Sequence, residues 1–239
     1  MKIPALEPEE HFDKEVFRNI FTIIESQSLF DDLDVSDADL PVLFAWDNES
    51  SQIDHNQPAK NRVYQYRDKP ATSMAVFDKV NWPKSRFSDG TFGVWYGALE
   101  RDTSVYETLY WCIWFARDDL KKSTVPIINE RALFSVNVKT ERSVNLCNRI
   151  AQFLDLVSVS DNTLCQLIGS ACTKSGVEVL QSKSARLQGG VCVPVFSPKA
   201  IAAENKIGYL RYELKKNGEA IVSTIDNKVI AIPASWGFQ

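Results

Sequence analysis

With 239 residues, 44% of them hydrophobic and 24% charged, the chain has an ordinary globular composition and enough apolar mass for one large domain, with or without an extension. Its net charge of −4 and pI of ≈ 5.3 argue against the basic face that binding to a nucleic-acid backbone requires. Two histidines, His11 and His55, and five cysteines without CxxC spacing argue against a histidine–zinc centre or a Ser-His-Asp triad and for reduced structural thiols.

Met1-Lys2-Ile3-Pro4 is followed by acidic residues rather than an apolar core, and no apolar run approaches the ~20 residues that span a bilayer. A cytoplasmic protein without membrane contact is expected. From Pro8 to about Leu29, Phe12, Val16, Phe17, Ile20, Phe21, Ile23 and Ile24 recur at three- and four-residue spacing, which predicts a helix. That helix either packs on its own domain or receives a partner, possible partners including a second copy. Residues 31–60 are strongly acidic and read as a solvated linker with an ordered piece around Leu40 to Trp46. The expected division is a helical extension and linker over 1–60 and a main domain over 61–239.

Arg62 to Arg67 alternates as a strand, and Val94 to Leu99 is a short apolar strand bearing Tyr96. A helix is predicted from Asp102 or Thr103 to Leu120, with Asp102, Thr103 and Ser104 as candidate N-caps. Val105, Tyr106, Leu109, Tyr110, Trp111, Cys112, Ile113, Trp114 and Phe115 make it apolar nearly all round, so it is expected inside the protein. Glu107 is one of its few acidic side chains and needs a partner if buried. Leu133 to Val138 reads as a strand, and Val144 to Cys147 as a continuation of the sheet. Arg149 to Leu156 and Asn162 to Thr173 read as helices, the second stopping at Gly176. Val177 to Leu180 and Val191 to Phe196 follow as strands, Pro194 placing the latter at an edge or an irregularity. Ile207 to Leu214 and Ala220 to Ile225 form a hairpin around Asn217-Gly218. The sum is a mixed α+β fold, with a partly antiparallel sheet core and flanking helices.

No Walker loop and no GxGxxG is present. Taken alone, Arg86 and Glu107 favour a structural ion pair, with Tyr96 a packed aromatic and Ser184 a turn residue. The wider pattern adds to this: Arg67, then Ser85-Arg86-Phe87, Trp95-Tyr96-Gly97-Ala98, Glu107, and Ser184-Ala185-Arg186 before Gly189-Gly190 and a strand. Over roughly residues 60 to 230 this resembles the RES domain family, named for an arginine, a glutamate and a serine. The resemblance implies a fold similar to ADP-ribosyltransferase toxins and a bacterial toxin that takes NAD⁺ as substrate. It also implies a cognate antitoxin, of the Xre helix-turn-helix type, as partner, and no metal. Arg67 and Arg62 compete for the family's first arginine, and Ser184 and Ser197 for its serine.

On that resemblance, Glu107, Arg86, Tyr96 and Ser184 are the expected catalytic residues, and Arg67, Arg86, Tyr96 and Ser184 the expected NAD⁺-binding ones. The chemistry suits these residue types. Arginine forks clamp phosphate oxygens, and Tyr96 can stack on or orient the nicotinamide ribose. Glu107 can stabilise the oxocarbenium-like state formed as the nicotinamide–ribose bond breaks. Ser184 is expected to bind a phosphate or to position the nucleophile. Water or phosphate as acceptor gives a glycohydrolase or phosphorylase, and a macromolecule gives an ADP-ribosyltransferase. A non-catalytic interaction module built on residues 1–60 is the alternative from another class.

Overall fold

The computed structural model describes residues 6–8, 10–21, 76–77, 82–149, 154–158, 160–224 and 229–233. In chain order the elements are β1 (Glu10–Phe21), β2 (Trp95–Ala98), α1 (Arg101–Lys122), β3 (Ile127–Asn145), α2 (Thr163–Lys174), β4 (Val179–Lys183), β5 (Val191–Val195), β6 (Ile201–Leu214), β7 (Ala220–Thr224) and β8 (Val229–Ile232). Short 3-10 turns lie at Leu154–Val157 and Pro198–Ala200. The strands form one sheet in the order β1-β2-β5-β4-β3-β6-β7-β8, and β1 also pairs with β3. The first five strands in that order therefore close into a circuit, from which β6, β7 and β8 extend. Within the described residues β3 and β4 run parallel and the other pairs antiparallel, so the sheet is mixed and the fold is α+β as expected.

All five strands of the circuit contribute to one apolar cluster. Phe12 and Val16 come from β1, Trp95 from β2, Val136 and Val138 from β3, Val179 from β4, and Val193 and Val195 from β5. A second cluster joins Val105, Leu109, Ile113 and Leu120 of α1 to the sheet around Leu210, Tyr212 and Val222. A third packs α2, through Leu164, Cys165, Ile168 and Cys172, against Phe87, Val144 and Leu180. None of the described helices is long and apolar enough to cross a membrane.

The predicted N-terminal helix is corrected: Glu10–Phe21 is strand β1, laddered to β3 from Glu10–Ser143 to Phe21–Arg131. The buried residues Phe12 and Val16 stand four apart, a spacing that puts two side chains on one face of either a helix or a strand. The β-branched and aromatic content and the open edge of β3 decide for the strand. Ile23 and Ile24, the acidic linker, Leu40–Trp46 and the Arg62–Arg67 strand lie outside the described residues, as does part of the predicted Arg149–Leu156 helix. Of that helix the 3-10 turn Leu154–Val157 is described.

Helix α1 covers the predicted span, but its N-cap is Glu100 rather than Asp102, Thr103 or Ser104. The Glu100 carboxylate binds the Thr103 hydroxyl at 2.7 Å and the Val191 amide at 3.0 Å, tying the helix start to β5. Nor is α1 enclosed, as its composition suggested. The sheet covers one face; on the other, Trp111 and Trp114 are each 41% exposed and Phe115 71%. These rings satisfy part of their apolar surface on one another, with Trp111–Trp114 and Trp114–Phe115 centroids 5.9 and 5.0 Å apart.

Pro194 lies in an interior strand, since β5 is flanked by β2 and β4. Registered β4–β5 pairs stand at Val179–Val195, Ser182–Cys192 and Lys183–Val191, with none opposite Pro194, which is where a residue without an amide proton fits. Asn217-Gly218 makes the expected hairpin, closed by the Lys215 amide on the Glu219 carbonyl at 2.8 Å. Strand β8 was not anticipated.

Candidate functional site

The site forms where the N-terminal half of α1 meets the turn between β4 and β5. Gly190 makes this approach possible: a Cβ there would lie 2.4 Å from the Thr103 hydroxyl oxygen. The Ser184 amide donates to the Gly190 carbonyl at 2.9 Å and closes the turn. Inside it, Ser184 Oγ accepts from the amides of Arg186 and Leu187, both at 3.0 Å, and donates to Glu107 Oε1 at 2.6 Å. One donor and two acceptor positions are thereby all used.

Glu107 Oε1 receives a second donor, the thiol of Cys192 on β5, at 3.3 Å. A carboxylate has no proton to give, so the sulfur donates. Burial, and next the adjacent Glu107 charge, push the Cys192 thiol well above the usual range and keep it protonated. The two donors converge on one oxygen, and Oε2 has no protein partner among the described residues. A single carboxylate is thus oriented from the β4–β5 turn and from strand β5 through one of its two oxygens.

Arg86 approaches from a different part of the chain. Its guanidinium donates to the Leu156 carbonyl in the 3-10 turn before α2. The loop carrying it is held by Tyr96, whose hydroxyl accepts from the Phe87 amide at 2.9 Å and shares a bond with Ser85 Oγ at 2.8 Å. Gln166 of α2 donates to the Ser85 carbonyl at 2.9 Å, and Gly169 lets α2 ride over the Phe87 carbonyl. Burial raises the Tyr96 phenol, against the opposing effect of the two bonds it makes, so it stays neutral. Arg86 acts electrostatically on Cys192 and Arg186 but makes no ion pair with Glu107 among the described residues.

Of the residues expected from the sequence, Glu107 and Ser184 are brought into direct contact, and Arg86 and Tyr96 are joined through one loop beside them. Ser197 stands elsewhere, capping the Pro198–Ala200 turn through the Lys199 amide at 3.3 Å. Arg67 and Arg62 lie outside the described residues. Two site residues were missed. Cys192 gave no signal beyond its place on a predicted strand, because its role depends on the cross-chain approach of α1. Arg186 stood in the quoted Ser184-Ala185-Arg186 run without a role; its guanidinium lies 3.3 Å from the centroid of the Tyr110 ring, one helical turn after Glu107.

A model of the RES domain matches residues 57–215. No curated protein matches the chain. Among solved structures, the chain is similar to one in the crystal structure of the M. tuberculosis MbcT–MbcA toxin–antitoxin complex, at 10% identity and a TM-score of 0.44, over 83% of this chain and 86% of that one.

Proposed function

The chain belongs to the RES domain family, and on that premise we propose that it is the toxin of a bacterial toxin–antitoxin pair, consuming NAD⁺ at the nicotinamide–ribose bond. The single observation carrying the chemistry is the grip of Ser184 and Cys192 on one oxygen of Glu107, the other oxygen having no protein partner among the described residues. A carboxylate held in this way is preorganised to accept a bond from a ribose hydroxyl and to face the positive charge of an oxocarbenium-like state. Arg86, fixed by Leu156, supplies a cation for the substrate phosphates.

In the reaction, the C1–N bond breaks with its electron pair going to the nicotinamide nitrogen, so the pyridinium departs as neutral nicotinamide. A water oxygen bonds to C1 and loses one proton to solvent, giving ADP-ribose, nicotinamide and H⁺. With inorganic phosphate in place of water the product is ADP-ribose carrying a new phosphate on C1. Tyr96 serves by holding the Arg86 loop, and Ser184 by orienting Glu107. The partner is an antitoxin of the Xre helix-turn-helix class that covers the cleft, and the setting is the bacterial cytoplasm.

The test is incubation of purified protein with NAD⁺, with and without phosphate, followed by separation of the products. Release of nicotinamide that is lost in Glu107→Ala is the expected result. Full activity in Glu107→Ala would remove the assigned mechanism, and intact NAD⁺ under every condition would remove the function. Label retained on a protein or nucleic acid would make the enzyme an ADP-ribosyltransferase instead.

A further inference from the structure

We infer that the groove between one side of helix α1 and the adjoining ends of strands β1 and β3 binds the carboxylate of a small amphipathic acid, with Arg131 receiving the charge and Phe21, Trp111 and Phe115 the apolar body. The inference stands apart from the NAD⁺ reading, since none of the residues lining this groove of ≈ 510 Å³ belongs to the site around Glu107.

Arg131 precedes Leu133 by two positions on β3, and Leu133 packs under α1, so strand alternation turns the arginine toward the helix as well. There it is only 9% exposed. Its Nε donates to Asn19 Oδ1 at 2.5 Å, its Nη2 to the Asn19 carbonyl at 3.0 Å and its Nη1 to the Cys112 sulfur at 3.6 Å, while the Tyr212 ring centroid lies 5.7 Å from the guanidinium carbon. A guanidinium has five N–H groups, and with three engaged, two have no acceptor among the described residues.

None of these neighbours is a counter-ion. Asn19 is neutral. Burial pushes the Cys112 thiol up against the pull of Arg131, and raises the Tyr212 phenol to about 12, so both keep their protons at neutral pH. Arg131 forms no ion pair among the described residues, and that includes Asp119 at the exposed rim of the groove. A buried cation held by neutral groups alone is costly, and an anion entering the groove offsets that cost.

The walls select the rest of the ligand. Phe21 is 57% exposed, and the Trp111 and Phe115 rings, with centroids 6.0 Å apart, face the same space above Ile127. One cation matches one negative charge, and Asp119 opposes a second, which disfavours a phosphate dianion or a dicarboxylate. A monocarboxylate with an aromatic or aliphatic body fits both parts. Two sources carry that chemistry: a free acid, or the terminal carboxylate of a peptide ending in an apolar residue.

The experiment is calorimetry on the full chain with 3-phenylpropionate and with 3-phenylpropionamide, which has the same shape and no charge. A peptide ending in phenylalanine, as free acid and as amide, forms the second arm. The acid should bind with a Kd of about 1 mM or tighter, and the amide about 10- to 100-fold more weakly, the size of one charge-assisted bond. Phe115→Ala, at an exposed position, should weaken acid and amide alike, whereas Arg131→Gln should weaken the acid alone. Should Arg131→Gln fail to fold, the acid–amide pair on the wild type still decides. Tighter binding of the small acid assigns the groove to a free acid, and tighter binding of the peptide acid to a chain terminus; either supports the assignment. Equal binding of acid and amide would reduce Arg131 to a tie between β1, β3 and α1 and overturn it. So would the absence of heat with both acids, or a wild type that dimerises through this face in sedimentation and takes neither.

Discussion

Ser184 carries three hydrogen bonds on one oxygen, and removing that oxygen has two separable effects. Ser184→Ala frees two turn amides, which should cost about 1–3 kcal/mol in urea unfolding. It also removes the shorter of the two grips on Glu107, so kcat for NAD⁺ should fall about 10- to 100-fold with KM little altered, the magnitude of one lost preorganising bond. A change in KM alone would return Ser184 to a phosphate-binding role. Cys192 makes a companion case. Cys192→Ser keeps a proton donor and should retain most activity, whereas Cys192→Val leaves Glu107 held by Ser184 alone and should lower kcat. If Val and Ser substitutions behave alike, the thiol bond contributes nothing to orientation. Neither effect could be read from the chain order, because Ser184 and Cys192 are 77 and 85 positions from Glu107.

Elements position these residues through two tight junctions. Helix α2 crosses the Arg86 loop at Gly169, where a Cβ would stand 1.8 Å from the Phe87 carbonyl oxygen. That contact is with backbone and cannot be relieved by turning a side chain. Gly169→Ala should therefore lower stability by roughly 1–3 kcal/mol, as overpacking does. By displacing the Arg86 loop it should also reduce NAD⁺ turnover below what the remaining folded fraction supports. Thermal unfolding and a nicotinamide-release assay on the same sample test both. The second junction is β1 on β3. Phe12 is 1% exposed within the apolar cluster of the closed circuit, so Phe12→Ala should cost about 3–5 kcal/mol by denaturant titration. A detachable extension would show almost no change. Truncation through β1 consequently measures folding as well as interaction, and does not separate a binding module from an enzyme.

Across the whole molecule, buried acidic protons set the response to alkali. Burial raises the Cys172 thiol and the Tyr212 phenol each to about 12, and it also raises the thiols of Cys112, Cys147, Cys165 and Cys192 and the Tyr96 phenol. A group whose folded pKa lies above its unfolded value contributes its stability in full below the unfolded pKa and loses it as pH rises toward the folded one. Stability should thus hold through neutral pH and fall progressively from about pH 9 to 12, as thiols and then phenols ionise first in the unfolded chain. Urea midpoints across that range test this, and a midpoint that rose with pH would contradict it. At this scale the sequence by itself determined the α+β class, the span of α1, the α2 stop at Gly176, the hairpin at Asn217-Gly218 and the residue types available for chemistry. Those features depend on local periodicity, backbone freedom and side-chain chemistry. Only the tertiary structure decided that Phe12 and Val16 belong to a strand, that Pro194 lies inside the sheet, and that the aromatic face of α1 stays open. It alone brought Ser184 and Cys192 to Glu107. Each of these depends on which distant backbone edge or helix face a segment meets, and residue spacing along the chain does not encode that meeting.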